Sequence, residues 1–355
     1  MENASKAYGL KVSELKCVEI YNNSKANYWI NEAEKYFHKD KESNYDFAVF
    51  LIGRNDDYLY TELKKHSLCK NGYISQILKV NKINKSQKIA MSICSKILLQ
   101  INSKLGGSNY KINLNDDIKD KRLMIIGIDS SHIKGKRTGV AMVASINPSF
   151  TDFYNKEEII EEENKIQLKF CINTFIDEAV SVFQKEEINK EEKPGGIVIY
   201  RQGVSLQQKE FLKDEISSID DCCKAKGIKY YYILVNTKPT LKFFEKTIEG
   251  YINPNSGLLI FDGITNKNYF EFYLQPQNVN QGSATPSCFH VAYGDLDCPV
   301  MIPKLTFDLC HIYSNWQGAV RIPNVIKAAE KLAKITAKYT LGELNENINL
   351  GQPYL

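Results

Sequence analysis

The sequence predicts an α/β protein in which a small domain is followed by a larger mixed sheet with helices on both faces. Three observations carry this. Short runs rich in β-branched and aromatic residues end in polar turns, as in "DFAVFLIG" (46–53), "RLMIIGIDSSH" (122–132), "GGIVIY" (195–200) and "KYYYILVN" (229–236). Longer amphipathic stretches alternate with them, notably "SQKIAMSICSKILLQINSKLGG" (86–107), closed by Gly106 and Gly107. The chain has 355 residues, of which 43% are hydrophobic and 25% charged, so about two domains of usual size can each bury a core.

In order along the chain, residues 1–45 read as helical and charged, with no clear core of their own. "DFAVFLIG" is an apolar strand, "DYLYTELKKHS" (57–67) a helix, "YISQILKV" (73–80) a strand and 86–107 a long helix. Strand, helix, strand, helix makes a small α/β domain. "NLNDDIKDK" (113–121) is a polar link. "RLMIIGIDSSH" is a buried strand ending in Asp129, and "TGVAMVASIN" (138–147) returns beside it. The acidic stretch 155–192 reads as helical and leads to "GGIVIY", then to a helix in "SLQQKEFLKDEISSIDDCCKAKG" (205–227). Four strand-like runs follow: "KYYYILVN", "GLLIFDGIT" (257–265), "YFEFYLQPQ" (269–277) and "CFHVAYGD" (288–295). A helical end comes last, in "LTFDLCHIYSNW" (305–316) and "IPNVIKAAEKLAKITAKYT" (322–340).

Composition excludes several classes. The net charge of +4 is a weak argument for nucleic acid, although acidic runs such as "NKEEIIEEENK" (155–165) can mask a local basic site. The nine cysteines are scattered without a CxxC pair and accompany five histidines, which argues against a zinc cluster. An odd number of thiols without a signal peptide points to a reducing compartment, cytoplasmic or nuclear rather than secreted. No apolar run approaches the roughly 20 residues of a membrane span.

Two groups of residues invite chemistry. Asp129 sits at a strand end, either as a turn-former or as a metal-binding carboxylate. Gln202, in "VIYRQGVSLQQ" (198–208), stands at a second strand end as a neutral amide where α/β sheets usually place chemistry. Elsewhere, Lys64 falls one turn after Tyr60 and Lys104 one turn after Gln100, so each pair shares a helix face. Joined by Gln76, they read either as solvated faces or as a phosphate pocket of two cations, a phenol and two amides. The apolar ending "GQPYL" suggests a terminus tucked into the fold.

Taken together, "LYTELKKH", "YISQIL", "LLQINSKLGG", "LMIIGIDSSH", "VAMVASIN", "IVIYRQGVS", "EFYLQPQ", "GSATPSCFHVAYGD", "LTFDLCHIYSNWQGAVRIP" and the final "YL" resemble the MID and PIWI domains of the Argonaute family, closest to its Piwi branch. They are collinear and span residues 46–355. The resemblance implies a Rossmann-like MID domain over 46–115 and an RNase H-like PIWI domain over 120–355. Members of that family also carry an N-terminal domain and a PAZ domain, so residues 1–45 read either as the lead-in from such an upstream half, the sequence being a fragment or a truncated gene model, or as the start of a short relative.

It further implies a small guide RNA held by its 5′ phosphate, complementary target RNA, silencing-complex proteins as partners, and a role in RNA-guided gene silencing. Tyr60 matches the tyrosine that stacks on the first guide base, and Lys64, Gln76 and Lys104 match the residues on the 5′ phosphate. Gln100 matches the Piwi-branch glutamine, which goes with a Mg²⁺ held jointly with the chain's terminal carboxylate, here on Leu355. Lys238 and Lys242, in "NTKPTLKFF" (236–244), and Arg321, in "AVRIP" (319–323), match guide-backbone positions.

Cleaving relatives hold two Mg²⁺ ions with four ligands. Asp129 matches the first acid, while Gln202 falls where the second belongs, "YRQGVS" against the expected "YRDGVS". Glu330, in "KAAEKLA" (327–333), matches the fourth ligand. The glutamate position falls on Phe170 or, in a shifted alignment, on Glu163. The resulting expectation is a guide-RNA-binding protein that recognises targets by base pairing and does not cut them. The alternative is a metal-dependent endoribonuclease with an altered ligand set. An RNase H-fold nuclease without a guide is disfavoured by the 5′-end residues.

Overall fold

In the computed structural model of the chain, the described residues are 16–20, 25–37, 45–53, 56–83, 87–114, 116–133, 137–160, 165–265, 269–294, 301–339 and 343–355. They divide into two compact units, the first formed by Met1–Asn109 with Lys338–Leu355 and the second by Tyr110–Ala337.

The first unit contains α1 (Ala26–Glu34), β1 (Phe47–Ile52), α2 (Asp57–Lys65), a π-helical turn (His66–Lys70), β2 (Ile74–Lys79), α3 (Val80–Ile83) and α4 (Gln87–Lys104). β1 and β2 are parallel, with Val49 opposite Gln76. A parallel pair needs a crossover, and α2 supplies it. α2 starts where the Asp56 carboxylate accepts from the Leu59 N–H at 2.9 Å, satisfying one of the free amides of the first turn. Its Leu59 and Leu63 pack with Phe50, Ile52 and Tyr73.

Ala26, Trp29, Ala33 and Phe37 join that same core. Part of the charged lead-in is therefore integral to the first unit: its apolar residues recur at helical spacing, and the charged residues between them hide the stripe. The unit also takes in residues 338–355, which the sequence reading grouped with the second domain. Asn345 pins this tail to the π-turn. Its N–H donates to Leu68 O at 2.8 Å and its side-chain amide to Lys70 O at 3.2 Å.

The second unit is built on strands β3 (Leu123–Ile133), β4 (Arg137–Ser145), β5 (Phe153–Ile160), β6 (Gly196–Gln202) and β7 (Tyr230–Asn236). A short hairpin of β8 (Glu245–Thr247) and β9 (Gly250–Ile252) follows, then β10 (Leu258–Ile260), β11 (Phe270–Gln275) and β12 (Ser287–Gly294). Among the described residues they form an eight-stranded sheet of order β10-β11-β12-β7-β6-β3-β4-β5, with the β8–β9 hairpin separate. β3, β6 and β7 are mutually parallel and every other pairing is antiparallel, so the sheet is mixed.

The helices of this unit are α5 (Asp116–Lys119), α6 (Lys165–Lys185), α7 (Lys209–Lys226), α8 (Met301–Leu309) and α9 (Asn324–Tyr339). Ile126 and Ile128 of β3 pack with Phe175 and Ile176 of α6 and Ile219 of α7. Gly127, between those isoleucines, faces the other way, towards α9. A Cβ at Gly127 would lie 2.5 Å from the Val325 carbonyl carbon, so only glycine lets this helix approach so closely.

Two expectations fail locally. Residues 153–160 form a strand rather than the start of an acidic helix, because they pair along β4 from Ser145↔Phe153 to Thr138↔Ile160. Full ladder pairing outweighs the weak helical preference of "NKEEII". The link 113–121 contains the α5 turn, which buries Ile118.

Candidate nucleic-acid interface

Within the first unit, α2, β2 and α4 bring two buried ammonium groups onto one backbone oxygen. Lys64, in the last turn of α2, donates to Ser75 O and to Ser75 Oγ, each at 3.3 Å. Lys104, in the last turn of α4, donates to the same Ser75 O at 2.8 Å and to Gln76 Oε1 at 2.6 Å. Ser67 Oγ of the π-turn lies 2.9 Å from Ser75 Oγ. Lys64 and Lys104 are only 2% and 3% exposed. Burying an ammonium group is costly, and the oxygens just named are neutral. Ammonium groups brought this close together are the kind of donor set that a phosphate takes.

The structure thus brings Lys64, Gln76 and Lys104 together around Ser75. Gln100 lies one turn before Lys104 on α4, half-buried. Tyr60 lies one turn before Lys64, its ring tilted against Tyr339 with centroids 5.1 Å apart. Burial, with smaller contributions from Tyr339 and Asp57, pushes its phenol up to about 12, so it stays neutral in any physiological buffer. Sequence reasoning missed Ser75, the residue that joins the lysines; its signal is a small polar residue inside the apolar run "YISQIL". The tail passes the same place. A Cβ at Gly351 would lie 3.9 Å from Ser103 O and 4.0 Å from Lys104 O, and Leu355 is buried.

In the second unit, β3 and β6 run parallel to Ile128↔Arg201, so the next residues, Asp129 and Gln202, stand side by side on one face. Asp129 is 4% exposed. Burial pushes its carboxyl up to about 6, with Glu330 adding to the rise and the Ser130 amide, Arg201 and Lys334 opposing it. Gln202 Oε1 is buried without a hydrogen-bond partner.

Glu330 projects from α9, whose close seat on Gly127 puts it within electrostatic reach of Asp129. It accepts from Lys327 Nζ at 2.7 Å and also from Lys334 Nζ. Burial raises its carboxyl, but the two lysines outweigh burial and hold it below the usual range. On the opposite face of β6, Arg201 Nε donates to Glu215 Oε1 at 3.0 Å, and the Tyr232 hydroxyl donates to the same oxygen at 2.6 Å. Arg201 Nη1 also donates to Gln202 O at 2.6 Å, fixing the strand end. Glu215 thus reaches the strand end from its helix, but on the Arg201 side and already engaged.

The Piwi domain family profile matches residues 47–340. The chain belongs to the Piwi domain family. It is 31% identical over 340 residues to the Piwi-like protein Ago3 of Bombyx mori, covering 93% of this chain and 35% of that protein. It is 32% identical over 294 residues to argonaute-3 of Drosophila melanogaster, covering 82% of this chain and 33% of that protein. The chain therefore spans about a third of the length of these curated relatives. Among solved structures, Drosophila Piwi superposes with a TM-score of 0.84 at 23% identity, over 99% of this chain and 47% of that one. A Kluyveromyces polysporus Argonaute with a guide RNA gives 0.76 at 18% identity, over 92% of this chain and 41% of that one. The α/β fold is that of the Piwi and Argonaute structures.

At the strand ends, among the described residues, no three His, Cys, Asp or Glu side chains are grouped to hold a metal. Glu330 is already neutralised by two lysines, and Gln202 offers one orphaned amide oxygen but no charge. This set does not fit a pair of Mg²⁺ ions. Phe170 lies in α6, and Glu163 falls outside the described residues. In the first unit, the Gln100 amide and the Leu355 carboxylate offer hard oxygen donors, the kind that Mg²⁺ takes. Lys238 and Lys242 are exposed beyond β7, and the Lys238 N–H donates to Asn236 Oδ1 at 2.9 Å. The Arg321 carbonyl accepts from Ser287 Oγ at 2.7 Å, leaving its guanidinium outside that bond. Among the described residues no helix is long and apolar enough to cross a membrane.

Proposed function

We propose that this chain holds the 5′ phosphate of a small guide RNA, recognises complementary target RNA by base pairing, and serves RNA-guided gene silencing without cutting the target. The observation that carries the reading is the convergence of Lys64 and Lys104 on Ser75 O, a buried two-cation centre flanked by Gln76. In this reading Tyr60 stacks on the first base. Gln100 and the Leu355 carboxylate hold one Mg²⁺ beside the phosphate, and Lys238, Lys242 and Arg321 follow the guide backbone. Loss of a charge-assisted hydrogen bond to the phosphate costs about 1.5–3 kcal/mol. Lys64→Ala and Lys104→Ala therefore weaken 5′-phosphorylated RNA far more than the same RNA with a 5′ hydroxyl, in a direct binding titration. Equal losses for both RNAs would remove the pocket from this reading.

The absence of cutting rests on charge. Two Mg²⁺ ions about 4 Å apart repel by roughly 17 kcal/mol at an effective dielectric of 20. Carboxylates must offset that repulsion, and Gln202 contributes none. The second reading, a cleaving enzyme with altered ligands, is favoured by the retained Asp129 and by the orphaned Gln202 Oε1. A guide-loaded sample offered a matched target with Mg²⁺ or Mn²⁺ separates the two. A single cut opposite the guide's middle that vanishes in Asp129→Ala would establish the second reading.

A further inference from the structure

We infer that the strand-end site of the second unit carries its own counter-ions, with Lys334 and Lys327 as resident cations in place of bound metal. This rests on the non-cleaving reading above and extends it from a missing acid to an occupied site. Three observations converge.

Glu330 is the carboxylate that α9 brings towards Asp129, and both of its oxygens are taken, Oε2 by Lys327 at 2.7 Å and Oε1 by Lys334. The two lysines sit three residues before and four after Glu330, so one helix face delivers all three charges and the pairs form without any long-range ordering. The Lys334 side chain is also 61% exposed, while the Glu330 carboxylate it holds is 17% exposed, so this cation sits on the solvent side of the pair. Its field reaches Asp129 as well as Glu330. Gln202, beside Asp129, keeps a buried acceptor without a partner, so the site retains the shape of a cation site while its net charge has been rebalanced from within.

The consequence is specific. Restoring the acid at position 202 is not enough to restore metal binding, because an arriving divalent ion must still displace two ammonium groups from Glu330 and then sit beside them. Removing the lysines as well opens a latent site formed by residues 129, 202 and 330.

Mn²⁺ binding to the 355-residue chain, followed by the electron paramagnetic resonance signal of free Mn²⁺, tests this without any cleavage readout. The series is wild type, Gln202→Asp, Gln202→Asp with Lys334→Met, and Gln202→Asp with both Lys327→Met and Lys334→Met. Methionine keeps the length of the apolar stem and removes the charge. The expected order is weak binding for the first two and progressively tighter binding for the last two, at least about tenfold in all, which corresponds to 1.4 kcal/mol. Adding Glu330→Gln to the last variant abolishes the gain. Overturning results are Gln202→Asp binding Mn²⁺ as tightly as the variant lacking both lysines, or a gain that survives Glu330→Gln. Thermal unfolding of each variant identifies any that has lost its fold. Binding of 5′-phosphorylated RNA is measured on the same samples, so a failed guide-binding reading shows there while the Mn²⁺ series still decides the resident-cation inference.

Discussion

At the residue scale, Asp129 opposes the fold that holds it. Its carboxyl has a folded value of about 6 against 3.8 for the free side chain, because burial disfavours the anion. Below 3.8 the group is protonated in both states and costs nothing. As pH rises through the window from 3.8 to about 6, the unfolded chain ionises first and stability is lost, by about 3 kcal/mol for two units. Asp129→Asn therefore stabilises the second unit at pH 7 to 8 and leaves it little changed near pH 3.5, read from denaturant midpoints across that range. A variant equally destabilised at both ends would show that the buried charge is not the cause. The same accounting with opposite sign applies to His66. Burial lowers its imidazole while Glu34 raises it, and it bridges Glu34 at 3.1 Å and the Tyr73 hydroxyl at 3.0 Å. Its stability contribution is present above its unfolded value of 6.5 and is lost as pH falls, so mild acid loosens α1 from the π-turn. Protection factors in Ala26–Glu34, corrected for the intrinsic pH dependence of exchange, should fall below pH 6 in the wild type and lose that trend in His66→Gln.

At the element scale, the seat of α9 on β3 decides whether Glu330 meets Asp129 at all. A methyl group at Gly127 meets backbone atoms of Val325 and Ile326 at 2.5–2.7 Å, and backbone cannot rotate away. Gly127→Ala should cost about 1–3 kcal/mol by overpacking. The displaced helix should also return the Asp129 carboxyl towards its ordinary range, which carbon-detected NMR titration would show. Elements of this kind were unevenly legible in the sequence. Runs such as "LMIIGI" and "YYYILV" announce buried strands because neither face needs a polar residue, and the one-turn spacings of Tyr60 with Lys64 and of Gln100 with Lys104 announce shared helix faces. What stayed hidden was what crosses between elements. Ser75 meets Lys64 over 11 positions and Lys104 over 29, and no local pattern encodes that meeting. β5 was hidden for another reason: its glutamates imitate a solvated helix until β4 is there to pair with. Lys327 and Lys334 stand at helical spacing from Glu330, but their effect on a site at the strand ends depends on where α9 sits.

At the scale of the whole molecule, the chain returns after the second unit to complete the first. Asn345 caps the carbonyls of Leu68 and Lys70, and Ile348, Tyr354 and Leu355 are buried in the tail. Each such side chain is worth about 1.5–3 kcal/mol when fully buried. Deleting residues 343–355 should therefore lower an unfolding transition assigned to the first unit and leave that of the second in place, which calorimetry resolves. Appending residues after Leu355 should weaken 5′-phosphorylated RNA, and chelating divalent ions should do the same; indifference to both would remove the metal from the pocket. The return of the tail also imposes an order on the ribosome. Residues 338–355 emerge only after Tyr110–Ala337 has been made, which at roughly 5–20 residues per second is a delay on the order of ten to fifty seconds. Throughout that interval the nascent first unit holds Leu68 O and Lys70 O without their Asn345 partner and lacks its closing segment, so its fold is completed only once synthesis has passed the second unit.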